Sequence, residues 1–368
     1  MYQEAERWPA LLSLCFFSTL FILASNSEAL FLTGTGGMFS ILLFLLGGFF
    51  AAGGRREEDF LSPSGWLSFY LMCLKEILLP TWAICLFFFY LGDSLLSDKW
   101  SLFDNLLFLR SSAHLWLVQQ TLFACLFYPL LGALLALLKR ALERTRCSGD
   151  TTEILLGIAL IAFTLCLALY LLHASSFGLP WYGGKRPFTG IFFYMGAGLF
   201  HLARPYLNRP LFLKKIASKA LDLVGFLLLC IVPFLLSDSL LQGSLGKLLS
   251  LPENISFSRD YSLCSALLMG VLLLLPLLHG RGEFARFLRW KETARLGKAG
   301  LYAYLLHYFL LLRLSESHAK AFLLTALLTY PLALFLAEIL MPSLEKGVIL
   351  LLDKARTWMK KGIRIGRG

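Results

Sequence analysis

Ten long apolar segments, separated by short polar stretches, constrain the fold of this chain more than any other feature. A helix crosses a bilayer core with about 20 consecutive apolar residues, and most of the segments approach that length. Only 15% of the residues are charged, whereas a soluble domain carries about a quarter. The pattern predicts an all-α, polytopic membrane protein with about ten transmembrane helices. The segments are 9–25, 37–53, 66–91, 114–138, 153–173, 188–203, 217–237, 262–279, 297–312 and 321–342.

The sixth segment, FTGIFFYMGAGLFHLA, is short and contains glycine. A short span faces lipid poorly because its hydrophobic length falls below the bilayer thickness. We therefore predict that this helix is tilted, or that it is tucked inside the bundle.

Positive charge lies mainly on one side of the predicted membrane. With the N-terminus inside, 25 of the 34 lysines and arginines fall in the termini and inner loops, eight fall in outer loops, and Lys75 lies within the third segment. Cytoplasmic loops carry such an excess, so both termini are predicted to face the cytoplasm, in a plasma-membrane protein. Because every inner loop is basic, the net charge of +11 reflects topology and does not indicate a nucleic-acid partner. We expect one transmembrane domain, 1–345, and a basic cytoplasmic tail, 346–368.

Polar side chains inside the predicted spans are the first candidates for function, because such groups usually face a bundle interior or a watery cavity. Lys75 either meets an anionic ligand from the cytoplasm or forms an ion pair between helices, and the sequence favours neither. His307, taken alone, is more often a neutral packing residue than a proton-transfer group. Gln119 and Gln120 need hydrogen-bond partners in the membrane, and a clamp between helices is the simpler interpretation.

The chain contains no motif of a soluble enzyme and no metal-ligand spacing, so we predict no metal. Seven of its eight cysteines lie inside apolar runs, without a CxxC pattern, and are interpreted as small hydrophobic residues. Arg186 lies in WYGGKRPF, whose aromatic residues would suit a carbohydrate platform. An interfacial turn is the alternative.

Four stretches resemble segments of the membrane acyltransferase-3 family, which includes bacterial O-acetyltransferases of surface polysaccharides. GTGGMFSILLFLLGGFFAA is similar to the family's second span, and FYLMCLKEILLPTW to its basic segment that ends at proline and an aromatic residue. HLWLVQQTLFACLFYPLL resembles the His-Leu-Trp segment, with Pro129 fifteen residues after His114. LGKAGLYAYLLHYFLL resembles the closing segment, whose histidine is His307 here. The four stretches occur in the family's order along most of the chain.

The resemblance implies transfer of an acyl group, such as acetyl, from cytoplasmic acyl-CoA to a hydroxyl of a cell-envelope glycan or lipid. It implies that Arg7 and Lys75 meet the donor's phosphates and that Ser18 contacts a ligand. His307 or His114 would take the acceptor's proton. The residues expected to line the substrate path are Trp116, Gln119, Gln120, Tyr304 and Arg186.

The chain departs from the family pattern at its first span. Ser18 occupies the position of the histidine in the family's Arg-x10-His element, which begins at Arg7, and serine is no base at neutral pH unaided. Thr121 stands where an acidic residue is common, and Gly47-Gly48 replaces Ser-Gly. Three hypotheses therefore stay open: a divergent acyltransferase, a relative that binds or exports a glycan or lipid, and a non-catalytic scaffold in polysaccharide assembly.

Overall fold

The protein is helical throughout the part that its computed structural model describes. The described residues are 8–28, 32, 34–92, 99–107, 115–145, 147–175, 189–207, 215–253, 261–311, 318–343 and 346. They contain no strand, which confirms the all-α prediction. Three predicted site residues, Arg7, His114 and Arg186, lie outside the described residues, as does the basic tail beyond Lys346.

A helix lies at each of the ten predicted segments, although several segments are divided. The first helices are α1 Pro9–Asn26, α2 Thr35–Gly53, α3 Pro63–Cys73, α4 Leu79–Tyr90, α5 Lys99–Leu106, α6 Trp116–Arg144, α7 Gly149–Ser175 and α8 Phe192–Ala203. They are followed by α9 Lys215–Phe226, α10 Val232–Leu235, α11 Asp238–Gln242, α12 Ser244–Leu248, α13 Ser262–Leu278, α14 Glu283–Leu288, α15 Lys291–Lys298, α16 Gly300–Leu311 and α17 His318–Phe335. Short 3₁₀ turns span Glu57–Leu61, Thr189–Ile191 and Arg204–Tyr206.

Seven of the described helical stretches are long and apolar enough to cross a membrane. Two shorter apolar helices, α13 and α16, accompany them. Leucine and phenylalanine side chains on the outer faces of α6 and α7 are exposed, as expected where the neighbour is lipid. The protein is therefore a multi-pass membrane protein whose surroundings include a bilayer.

Three π-helical turns interrupt the long helices, and each ends two residues before a proline. Proline lacks an N–H group and its ring clashes with the carbonyl four residues earlier, so a wider turn relieves that clash. Lys75 lies in the first of these turns and its side chain is exposed. The turns are Leu74–Leu78, Leu227–Ile231 and Leu336–Leu340, and the prolines are Pro80, Pro233 and Pro342.

Helix α2 is the centre of the bundle. Within its membrane-spanning window 83% of the residues are buried, against 22% for the last candidate span, Ala319–Ser343. Helix α2 packs against α1, α8 and α13. Every residue from Phe192 to Phe200 in α8 is buried, so the short sixth segment is tucked inside the bundle, as one of the two alternatives predicted.

Helices α2 and α8 touch through two glycines. A Cβ atom on Gly48 would overlap the carbonyl oxygen of Phe193, and one on Gly196 would overlap the carbonyl oxygen of Leu45. Small residues allow this close approach between membrane helices. The glycine pair at 47 and 48 is thus a packing feature.

Helix α1 runs parallel to α15 and α16. Near its start, Ser13 Oγ lies 2.8 Å from Thr293 Oγ1 in α15, and at its end Asn26 contacts His307 in α16. Also at its start, the Trp8 ring stacks 6.3 Å from Phe50 and lies 6.2 Å from Phe200. The start of α1 and the ends of α2 and α8 therefore form one end of the bundle, which the charge pattern predicts to be cytoplasmic.

Candidate functional site

A cleft lined by three arginines opens at this end of the bundle. It forms where α2 ends, where the 3₁₀ turn Glu57–Leu61 follows and where α8 ends, and its volume is about 480 Å³. We call this space the arginine cleft. Three guanidinium groups and one carboxylate line it. Arg204 is paired with carboxylates beside the cleft, so the excess positive charge that favours an anion comes from Arg55 and Arg56. Its lining includes Gly53, Arg55, Arg56, Asp59, Phe200 and Arg204.

Arg55 is fixed by contacts on α3 and retains one unused donor. Its Nη2 donates to the carbonyl oxygen of Ser68 at 3.1 Å and to the Ser68 hydroxyl at 3.0 Å. Its guanidinium lies 6.0 Å from the centre of the Phe69 ring. The Arg55 Nε is buried and has no hydrogen-bond partner in the described part of the chain. Buried polar groups rarely lack partners, so this N–H is an unsatisfied donor at the edge of the cleft.

A partly buried ion-pair network lies beside the cleft. We give this name to Glu57, Glu58, Lys139, Glu153, His201 and Arg204. Lys139 Nζ lies 3.1 Å from Glu57 Oε2, 3.0 Å from Glu58 Oε1 and 3.6 Å from Glu153 Oε1. Burial acts to raise the pKa of Glu58, but its backbone hydrogen bond and Lys139 outweigh burial and hold that pKa below its usual value.

Arg204 belongs to both the cleft and the ion-pair network. Its Nη1 lies 2.8 Å from Glu153 Oε1 and 3.3 Å from Glu57 Oε1. His201 Nδ1 lies 2.7 Å from Glu153 Oε2, and the nitrogen must donate because an ionised carboxylate only accepts. An anion bound in the cleft would therefore share Arg204 with two buried carboxylates.

Three members of the network are spaced like metal ligands. Single ligand atoms of Glu57, Glu153 and His201 all lie within 4.8 Å of one another. However, Lys139 and Arg204 already pair with both carboxylates, at 2.8–3.6 Å. These two cations neutralise the charge that would attract a metal ion, so the arrangement favours ion pairing over metal binding.

His307 occupies a separate, buried position near the other end of α1. Its side chain is 1% exposed, its Nε2 lies 2.8 Å from Asn26 Nδ2, and its Nδ1 lies 2.5 Å from the carbonyl oxygen of Tyr304. A neutral ring with its proton on Nδ1 satisfies both contacts, because Nε2 then accepts from the amide. The Tyr304 ring lies 5.5 Å from the imidazole.

The structure does not bring His307 together with the arginine cleft or with Lys75. Trp8 at the cleft and Asn26 at His307 are separated by the length of α1, about 27 Å at 1.5 Å per residue. Phe309, close to His307 in α16, stacks on Phe88 at 4.0 Å. Lys75 precedes Phe88 by thirteen residues, or about 20 Å of helix. Lys75 and His307 therefore do not form one site.

The other described candidates are dispersed. Ser18 is fully buried, and its hydroxyl donates to the carbonyl oxygen of Leu14 at 2.6 Å. The Trp116 ring lies 6.2 Å from Phe44, and Gln119 is half-buried. Ser18 therefore presents no free hydroxyl proton to a ligand.

Gln120 acts as a clamp between helices. Its Oε1 accepts from Thr189 Oγ1 at 3.0 Å and from the Gly190 backbone N–H at 2.8 Å. These bonds tie α6 to the turn before α8. A clamp between helices was the simpler interpretation of this glutamine from the sequence.

The residues of the arginine cleft were missed by the sequence interpretation. Arg55 and Arg56 were counted only as topology signals, and His201 was not singled out. The adjacent Arg-Arg-Glu-Glu run after a glycine pair was the available signal. Arg204, the third arginine of the cleft, lies far along the chain from this run, so only the fold brings the run and Arg204 together.

No family model, curated protein or solved structure matches this chain.

Proposed function

We propose that this protein is a membrane O-acyltransferase that takes its acyl group from acyl-CoA, with the arginine cleft as the site of the donor's phosphates. The observation that carries the proposal is the convergence of Arg55, Arg56 and Arg204 on one cleft. Acyl transfer is proposed as the reaction because four stretches resemble segments of the acyltransferase-3 family and occur in the family's order.

Guanidinium groups suit the phosphates of CoA because they form paired, charge-assisted hydrogen bonds to phosphate oxygens. The proposal gives Arg55, Arg56 and Arg204 the role first expected of Lys75, which lies in a different helix and is exposed. Arg7, which lies outside the described residues, keeps its expected role as a prediction from the sequence.

The acyl group is proposed to travel along α1 toward His307. A donor held by its phosphates extends its thioester arm into the bundle, and the acceptor hydroxyl enters from the opposite side. His307 Nε2 is the proton acceptor of this scheme, after the Asn26 amide has turned away from it. His114 is the second candidate for this role.

The topology in this proposal has ten spans. The two shorter apolar helices α13 and α16 count as crossings together with the seven longer stretches, and the buried helix α8 is proposed as the tenth crossing. Both termini and the arginine cleft then face the cytoplasm of a cell whose plasma membrane holds the protein. A cytoplasmic cleft is what a CoA donor requires.

A non-catalytic binding protein is the second candidate, favoured by one observation. Ser18 occupies the family histidine's position, and its hydroxyl donates a hydrogen bond to a carbonyl oxygen of its own helix. On this hypothesis the cleft holds a phosphate-bearing lipid or glycan carrier, and the protein binds or exports it, or serves as a scaffold.

Arg56→Ala should weaken acetyl-CoA binding by about 10- to 100-fold, because a hydrogen bond to a charged group contributes about 1.5–3 kcal/mol. The Arg56 side chain is exposed and is no part of the ion-pair network, so the fold should persist. Affinity is measured by calorimetry on the detergent-purified protein. Arg140→Ala is the matched control: Arg140 is exposed on α6 and lies outside the cleft.

An unchanged affinity in Arg56→Ala would remove the donor site from the cleft. Binding of inorganic pyrophosphate, sensitive to Arg56→Ala, without binding of acetyl-CoA would favour the carrier-binding hypothesis. Transfer of radiolabelled acetyl groups to an envelope fraction, lost in His307→Ala, would support the enzyme.

A further inference from the structure

Ser218 and His279 form a hydrogen-bonded pair that the proposed function does not use. Ser218 Oγ, on α9, lies 2.8 Å from His279 Nε2, which follows the end of α13. His279 is 7% exposed and Ser218 is half-buried. A hydroxyl within hydrogen-bond reach of an imidazole nitrogen is the arrangement of an activated serine nucleophile.

A carboxylate borders the same space. Asp222 lies one helical turn after Ser218 on α9, is buried, and accepts a hydrogen bond from the Phe284 backbone N–H at 3.0 Å. A Cβ atom on Gly282 would overlap Asp222 Oδ1 and would lie 2.6 Å from His279 Nε2. The carboxylate and the imidazole therefore lie on the same side of Gly282, and Asp222 fixes the segment that follows His279.

A cation lies beside the residue that follows His279. Arg289 Nη2 would lie 2.9 Å from a Cβ atom on Gly280, the residue after His279. The guanidinium therefore brings positive charge to the segment that follows His279.

The pair lies at the same end of the bundle as the arginine cleft. The segment after His279 continues into α14, where the Phe287 ring stacks 5.5 Å from Phe17 in α1. It then continues into α15, where Thr293 contacts Ser13. A donor held at this end therefore has a serine nucleophile on its own side of the membrane.

We propose that Ser218 is a nucleophile that accepts an acyl group, with His279 as its general base. This inference rests on the proposed function for the identity of the donor, a thioester, and it places the first acyl transfer at the cleft's end of the bundle instead of at His307. His279 Nε2 takes the hydroxyl proton while Ser218 Oγ bonds to the carbonyl carbon. The carbon–sulfur bond then breaks, and the proton passes from Nε2 to the leaving thiolate. The products are an acyl ester on Ser218 and free thiol, with no oxidation or reduction.

The test uses a fluorophosphonate probe, which phosphonylates activated serines and needs no CoA. In the full-length protein in detergent, Ser218 should be labelled, as located by peptide mass spectrometry. Labelling at this position should vanish in Ser218→Ala. It should slow at least about 100-fold in His279→Gln, since a general base contributes about 10²–10⁴-fold and glutamine can still hydrogen bond to Ser218.

The control variant is Ser343→Ala. Ser343 is an exposed helical serine that bonds only to a backbone carbonyl among the described residues, at 2.7 Å, so its removal should not change labelling of Ser218. Absence of label on Ser218, or equal rates in His279→Gln and wild type, would overturn the inference. Arg56→Ala distinguishes failure of the donor site from failure of this inference. If the donor site is wrong, wild type and Arg56→Ala bind acetyl-CoA equally or not at all, but Ser218 is still labelled.

Discussion

Replacing Lys139 by methionine should lower the free energy of unfolding by about 3–5 kcal/mol, the typical cost of removing one partner from a buried ion pair. Lys139 is 14% exposed and Glu57 is 5% exposed, so water cannot replace the lost ammonium group. Among the described residues, Glu57 and Glu153 would then pair only with Arg204 and His201, and Glu58 would lose its ion pair. Methionine preserves most of the apolar stem of lysine, which limits the loss to the charge. The free energy is measured by titration of SDS into mixed micelles.

The control for Lys139→Met is Arg286→Met. Arg286 pairs with Glu283 at 3.0 Å, but the two side chains are 72% and 68% exposed. An exposed pair contributes at most about 1 kcal/mol, so this variant should unfold almost like wild type. Equal effects of the two substitutions would show that the ion-pair network is solvated and does not stabilise the end of the bundle.

Gly48→Ala should destabilise the protein by about 1–3 kcal/mol or more, the usual cost of overpacking, whereas Gly47→Ala should be neutral or slightly stabilising. The new methyl group at Gly48 meets a backbone carbonyl of α8, which cannot move without separating the two helices. At Gly47 a Cβ atom would lie 3.4 Å from the Phe193 ring, an ordinary contact. Alanine also favours a helix over glycine by about 1 kcal/mol.

The adjacent glycines control for each other, because both lie in the same turn of α2 and gain the same methyl group. Thermal unfolding followed by intrinsic tryptophan fluorescence compares the two variants in one detergent. Equal melting temperatures for Gly47→Ala and Gly48→Ala would show that α2 and α8 do not touch as described.

The positions of the long apolar helices could be predicted from sequence because hydropathy is a local property, whereas short helices such as α5 and α14 were not predicted. Each of the ten apolar segments corresponds to a helix, including the short sixth one that is buried in the bundle. The π turns could not be predicted in this way. Prolines at 129, 276 and 331 lie in α-helix without such a turn, so packing as well as proline decides where a turn widens.

The sites were harder to predict because they depend on contacts between distant parts of the chain. His307 was identified from its polarity, but its partner Asn26 comes from the end of the first span. Glu57, Glu153 and His201 come from three separate elements that only the fold joins. Ser218 lies near the start of the predicted segment 217–237 and His279 ends the predicted segment 262–279, and only the fold brings them together.

The most direct test of the acyl-CoA proposal is a cryo-electron microscopy structure of the protein in lipid nanodiscs with saturating acetyl-CoA. The account predicts phosphate density within hydrogen-bond distance of Arg55, Arg56 or Arg204, with the thioester arm directed into the bundle. An empty arginine cleft, or nucleotide density bound only elsewhere on the protein, would contradict it.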